Sequence, residues 1–540
     1  MKISPVLCVA STLAIAACTG DDAPVKNTPA EDIIIEAPLA GPVEEDARAE
    51  LPTDEALTAA LFDEISGNPA FLRVFLRPFP KGGDLHIHSD GTPYAEEFLD
   101  WAEDRAYCIH LQEEAIAPPP CLAPETAPAA GLATRDIETY YELVDALSVR
   151  PLLQDSDAGV SGHEQFFATF DKFGAISTIE DGKVLASIKR AADRDSLLYV
   201  ELMELPSSVV RATLSSRDTD WDPSDFDGAL ARFEPEMQAI VQQGLADMDQ
   251  GIAEAEVLLG CEQDETSPGC DVTVYYQCFA LRLFPNDQVF RQLATCFAMA
   301  EADPRIVGIN MVQPEDDPRA IGNYDLHMRM VAFLSERYPT AGISLHAGEL
   351  TLGLAPNYAL ASHIADAIEI AGAQRIGHGV DISYETGSRE TLVRMARENI
   401  AVEINLSSND VILGVTGKDH PLNLYRASGV PYVLSSDDQG VLRTDLTEQY
   451  VRAALEHGLD YLDLKTASRN SLEYAFLPGE SLWESDGYIT PVEDCAEFDS
   501  AACDTFTAAN PKAALQQRLE LAFQAFEADI STWSIEVDGG

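Results

Sequence analysis

Short apolar runs alternate with amphipathic stretches eight times between Gly83 and Asp438. The runs are GDLHIHS (83–89), SLLYVELMEL (196–205), VTVYYQCFALRL (272–283) and RIVGINMV (305–312), followed by GISLHAG (342–348), RIGHGV (375–380), AVEINLSS (401–408) and YVLSSDD (432–438). Each is a short, largely apolar run, which predicts a strand. Between most of them lie patterns of helical period, such as DLHMRMVAFLSERY and ASHIADAIEIAG. Strand–helix alternation repeated eight times predicts an α/β fold, a (β/α)8 TIM barrel. An opening helix is expected over Glu55–Leu76 and another from Tyr94 to about Tyr107. The pattern then breaks into a Pro- and Ala-rich rim insertion at about 108–160. A long acidic helix follows over Pro235–Leu259, and extra helices come after the eighth strand, the last near Pro511–Asp529. In GHEQFFATFDKF the apolar spacing is helical, which on its own reads as core packing by Phe166, Phe167 and Phe170.

The chemistry sits where these strands end. His86 and His88 are two apart in a strand, so both side chains point to one face and can grip one ion. His346, and Asp437 of the pair Asp437–Asp438, would complete the protein ligands of a metal site. Glu349 and His378 are then free to move protons. An HxH alone is an ordinary strand, and a DD alone an ordinary turn. Four such pieces at four strand ends are another matter, because a barrel of parallel strands gathers strand ends into one pocket. The other six histidines (His110, His163, His327, His363, His420 and His457) show no comparable context.

In their order, PKGGDLHIHSDG, SLHAGE, RIGHGV and SSDD resemble the adenosine deaminase family of the amidohydrolase superfamily. VEINLSSNDVILGV followed by HPLNLYRASGVPYVLSSDDQG is most similar to its secreted branch, the adenosine deaminase-related growth factors. The resemblance runs from about Phe75 to about Leu477. It implies one Zn2+ per chain, held by His86, His88, His346 and Asp437, and hydrolytic deamination of adenosine or 2′-deoxyadenosine. The alternatives are a deaminase of another purine or modified adenine nucleoside, or a non-catalytic surface-binding barrel. Glu349 would protonate a ring nitrogen as the attacked carbon becomes tetrahedral. His378 would orient the water, take its proton and stabilise developing charge. Asp438 would hydrogen-bond the purine, which requires the strand to be turning there, and Asp90 matches the family position that contacts the ribose. Where the family has a glycine whose backbone N–H reads the purine, this chain has Gln313 followed by Pro314.

Charge narrows the partners. The chain carries 91 acidic against 35 basic residues, a net charge of −56. Such a surface repels nucleic acid and anionic membranes and disfavours a phosphorylated substrate, in keeping with the small-molecule purine nucleoside that the resemblance implies; the oligomeric state stays open. Lys2, the apolar run Val6–Ala17 and the small residues of LAIAAC before Cys18 resemble a bacterial lipoprotein signal. The expectation is a signal peptide over 1–17, lipid on Cys18 as the sole membrane attachment, a flexible Pro/Ala-rich acidic tether over 18–54, and the enzyme barrel over 55–540 with a C-terminal extension from about 478. The protein would then be exported and lipid-anchored, facing the periplasm or the cell surface. Ten cysteines include Cys8 and Cys18. The remaining eight suggest disulfides in an exported chain, with Cys108–Cys121, Cys261–Cys270 and Cys495–Cys503 favoured by proximity. Cys278 is open to a buried free thiol, and Cys296 is left unassigned.

Overall fold

Eight strands lie parallel in chain order: β1 (Gly82–His88), β2 (Leu197–Met203), β3 (Thr273–Leu281), β4 (Ile306–Val312), β5 (Gly342–Ala347), β6 (Arg375–His378), β7 (Ala401–Ile404) and β8 (Tyr432–Leu434). This is a computed structural model, and it describes residues 53–154, 159–485 and 487–533. The signal-peptide reading of 1–17, Cys18 and all but the last two residues of the expected tether lie outside the described residues. Beyond β8 the chain turns back onto β1. The Asp437 N–H donates to the His86 carbonyl at 2.9 Å, the His88 N–H donates to the Asp437 carbonyl at 3.4 Å, and Ile87 and Asp437 form a parallel bridge. The (β/α)8 barrel expected from the alternation is therefore the fold, and its closing seam runs through three of the expected metal ligands, His86, His88 and Asp437.

The strands are apolar in sequence because helices cover their outer faces, as on β4, where every residue is buried. The barrel interior is less apolar than the runs suggest. Glu201, Gln277, Asn310, Ser344, Arg375 and Glu403 are all buried within it. Each finds polar partners there, as buried polar groups must.

Several boundaries differ from expectation. The opening helix is two, Thr53–Ile65 and Pro69–Leu76, because the Asn68 side chain accepts from Ala70 and Phe71 N–H groups and Pro69 starts a new helix. The long acidic helix starts upstream, at Phe226, where the Asp225 carboxylate caps Gly228 N–H at 2.9 Å, and Pro235 lies within it. The seventh strand stops at Ile404, and Leu406–Leu413 is helical. The eighth stops at Leu434, short of the paired aspartates.

The rim insertion opens as a three-stranded antiparallel sheet (Cys108–His110, Ala115–Ala117, Thr126–Pro128) tied by Cys108–Cys121. Cys261–Cys270 and Cys495–Cys503 form as expected. Cys278 and Cys296 also pair, so the free-thiol reading of Cys278 is corrected. The helix Asn286–Ala302 packs back on β3 and brings the two Cα atoms to 5.3 Å, within bridging range. The C-terminal extension builds a small satellite core around Leu482, Trp483, Tyr488 and Ala513. Among the described residues no helix is long and apolar enough to cross a membrane.

Candidate active site

At the C-terminal ends of the strands lies a cavity of about 410 Å³, lined among others by His88, Asp90, Gln313, His346, Glu349, His378, Asp437 and Asp438. His86 lies just beneath it, fully buried. Every site residue expected from the sequence, Cys18 apart, is thus brought to one place. Phe166, Phe167 and Phe170 line the same cavity, as the apolar lid that the family resemblance implies would, and they also pack into or against the core, so both readings of these residues hold.

The nitrogens converge. His86 Nε2 and His88 Nε2 lie 3.6 and 3.3 Å from Asp437 Oδ1, and His88 Nε2 lies 3.3 Å from His346 Nε2. His86 Nδ1 is 2.7 Å from Glu403 Oε2, and His346 Nδ1 is 2.9 Å from Asn310 Oδ1. Both partners are acceptors, so each Nδ1 carries the proton and each Nε2 turns a lone pair inward. The inward Nε2 of His86 is buried without a hydrogen-bond partner. Lone pairs aimed at one another and at a carboxylate repel unless a cation stands between them. His86 reaches this position because β6 has Gly377 beside it, where a Cβ would come within 2.7 Å of the imidazole.

Three pocket residues hold left-handed backbone without being glycine: Gln313 (φ +83°), His378 (φ +68°) and Asp437 (φ +59°). Such strain clusters where the surrounding structure over-determines a side chain's direction. At Asp437 the turn swings Asp438 into the same cavity, as its expected role requires. At Gln313 the chain keeps a conformation that suits glycine, and the side-chain carbonyl accepts from Leu283 N–H at 3.0 Å, tying the ends of β3 and β4 together.

Burial sets the protonation states. Glu349 is buried and faces Asp437 and Glu315, which together drive its carboxyl well above the ordinary range. Burial and Asp437 do the same to Asp438, against the pull of His88. Asp437 itself is held low, because the imidazoles of His88, His86 and His378 around it outweigh burial. His378 is pushed down to about 3, mainly by burial. Its Nε2 stands 3.7 Å from Glu349 Oε1 and 3.8 Å from Asp437 Oδ2.

Sequence reasoning missed the groups that hold these residues. Glu315 accepts from the Gly348 and Glu349 N–H groups at 3.1 and 2.9 Å and bonds His363 Nδ1 at 2.5 Å. Asn409 and His420 stand behind His378. The available signal was a polar residue inside an apolar run, as with Asn310 in VGINMV and Glu403 in AVEI.

A family model described as adenosine deaminase matches residues 156–483, more than half of the chain, and β1 with its two histidines precedes the matched span. An adenosine deaminase from Clostridium perfringens is 30% identical over 139 residues, 26% of this chain and 39% of that protein. An adenine deaminase from Rhizobium johnstonii is 30% identical over 187 residues, 34% of this chain and 52% of that protein. The chain thus spans about half or less of the length of these curated relatives. Among solved structures, an adenine deaminase from Arthrobacter aurescens superposes with a TM-score of 0.49 at 18% identity, covering 82% of this chain and 99% of that one.

Proposed function

The chain belongs to the adenosine deaminase family, and from that premise we propose that it is a zinc-dependent hydrolase. Its substrate is adenosine or 2′-deoxyadenosine, and its products are inosine or 2′-deoxyinosine and ammonia. The donor set suits zinc. Ligands about 2.0–2.1 Å from a tetrahedral zinc lie roughly 3.3–3.4 Å from one another, and the inward atoms of His86, His88, His346 and Asp437 include contacts of 3.3, 3.3 and 3.6 Å. When bound, the ion supplies Lewis-acid activation of a water molecule.

The chain's own residues do the rest. Glu349, held protonated, gives its proton to the purine ring nitrogen next to the attacked carbon, so that the ring accepts the incoming oxygen. The two protons of the attacking water complete the balance: one returns to the Glu349 carboxylate, the other goes to the amino group, and the carbon–nitrogen bond breaks as ammonia leaves. His378 faces the oxygen, and Asp438 meets the polar edge of the purine. The phenylalanines of the 162–177 helix exclude water from its faces.

One observation carries the choice of a nucleoside over a nucleotide: no lysine or arginine lines the cavity among the described residues. Arg305 is paired with Asp303 and Asp249, and Arg319 with Asp317, so neither is available for a phosphate. Turnover of adenosine, 2′-deoxyadenosine, adenine and AMP, followed by ultraviolet difference spectra, tests the reading. Adenosine and its 2′-deoxy form should be preferred over AMP by about 10–100-fold, the scale of one lost charged contact. A preference for AMP would overturn the reading. So would a preference for free adenine, because it would leave Asp90 without a ribose to contact.

Removing a ligand should remove the metal. His346→Ala purified alongside the parent should carry less than about a tenth of its zinc by elemental analysis and lose activity with it. Full zinc occupancy in that variant would exclude His346 from the ligand set.

A further inference from the structure

Behind His378 runs a chain of hydrogen bonds whose direction is fixed from its far end. The Leu422 N–H donates to His420 Nδ1 at 3.2 Å. A backbone amide can only donate, so His420 carries its proton on Nε2. Burial keeps that ring neutral, its pKa pushed down to about 3. His420 Nε2 lies 3.0 Å from Asn409 Oδ1 and donates to it. The Asn409 amide is thereby locked with its NH2 group toward His378, where Nδ2 stands 2.9 Å from Nδ1. The side-chain amide of Asn405 stands 3.4 Å from the same Nδ1, but its own Oδ1 has no partner, so the direction is set by Asn409. His378 Nδ1 therefore accepts, and the single proton of the neutral ring sits on Nε2. That atom points into the cavity, toward Glu349 and Asp437.

We infer that Asn409 is a positioning residue which, oriented by His420, makes His378 a hydrogen-bond donor to the reacting oxygen rather than an acceptor of its proton. The inference rests on the deaminase reading for its catalytic meaning, but the direction of the chain does not. It revises the role that the family resemblance implies for His378. A ring whose Nε2 already bears hydrogen cannot take the water's proton, yet it can orient the oxygen and stabilise negative charge developing there. His363 has a different task, bonded to Glu315 beneath Glu349, so two histidines that looked featureless each set a polar group one layer below the cavity.

Asn409→Asp tests this with almost no change of shape. An ionised carboxylate only accepts. It would keep the bond from His420 and draw the His378 proton to Nδ1, leaving a lone pair on Nε2. Losing one preorganised donor of this kind costs about 10²–10³ in kcat. The expected result is a loss of that size in kcat on adenosine, with KM within about threefold and zinc content unchanged, while the melting temperature falls somewhat because the new carboxylate is buried. A purely structural role would move KM and zinc content as well. Long-range nitrogen–proton spectra of histidine-labelled, zinc-loaded enzyme read the tautomer directly, with His378 assigned by its absence in His378→Gln. The parent should show the proton on Nε2, and Asn409→Asp should show it on Nδ1. A parent with its proton on Nδ1 overturns the inference, as does an Asn409→Asp enzyme with parental kcat. If Asn409→Asp does not fold, the parent's spectrum alone decides. If the parent deaminates no purine, the proposed function has failed while the tautomer remains readable.

Discussion

Glu349→Gln should retain its zinc and its fold and yet turn over adenosine about 10²–10⁴-fold more slowly, the usual contribution of a positioned general acid. The reason lies in what surrounds the carboxyl. It is buried, it faces Asp437 and Glu315, and both raise its affinity for a proton. The protonated acid and the glutamine amide have nearly the same shape, and each offers one donor to a ring nitrogen. Only the acid can release a proton. Substrate binding should therefore persist, measured as a KM or inhibitor affinity within a few-fold of the parent. The backbone should hold as well, because Glu315 grips the Gly348 and Glu349 N–H groups and not the side chain. Elemental analysis beside the rate decides between two failures. A metal-free Glu349→Gln protein would show the ligand set to be wrong, and a fully active one would show that another group is the acid.

Why the architecture was legible in the sequence is plain from β4 and β5: strands covered on the outside must be apolar, and VGINMV and GISLHAG read as such. The metal-facing residues were legible for a related reason. A charged or imidazole side chain at the end of an apolar run has to serve something, and four runs ending that way converge in a barrel. The strand ends themselves were not legible. YVLSSDD continues as a strand by pattern, yet the chain leaves the sheet after Leu434 so that Asp437 can adopt φ +59° and bridge back to β1. Aspartate visits the left-handed region more often than most residues, but that tendency does not mark which aspartate of the pair does so. AVEINLSS misleads in the same way, because Asn405 and the helix that follows it serve His378 rather than the sheet. The Cys278–Cys296 bridge depended on where a helix packs, which spacing does not give.

The interior of the barrel explains why the site residues keep their directions. Glu403 receives His86 Nδ1 on one oxygen, and Arg375 Nε and the Ser344 hydroxyl on the other. Arg375 NH2 reaches Glu201 at 2.6 Å, and Gln277 donates to Glu201 at 3.4 Å and to the Leu85 carbonyl at 2.8 Å. Gln277 also accepts from Asn310 at 3.1 Å, and Asn310 holds His346. Two imidazoles of the proposed metal site are thus oriented by one continuous buried network centred on the positive charge of Arg375, with Arg282 donating to the His346 carbonyl at its edge. Partners of this kind, one step removed from a metal, fix ligand tautomer and orientation.

That network makes Arg375→Met the most damaging single change expected outside the cavity. Methionine fits an apolar stem of similar length, so little volume is lost. What is lost is the only cation between Glu201 and Glu403, all three side chains being at most 1% exposed. Removing one member of a buried ionic group typically costs about 3–5 kcal/mol, because a charge remains without compensation. Here two carboxylates remain. They can relax only by taking up protons, and Glu403 would then no longer draw the His86 proton to Nδ1. Urea unfolding of the purified variant should show a loss of stability of that size, and zinc content should fall with it. Glu403 is held down at about 2 largely by Arg375 and His86, against burial. The parent's stability from this carboxylate is therefore complete above the ordinary glutamate pKa and lost only as pH falls toward 2. In Arg375→Met that loss should begin at a higher pH. A variant that unfolds within 1 kcal/mol of the parent and keeps full zinc would mean that the buried carboxylates are compensated by something other than Arg375, and that the network does not hold the site.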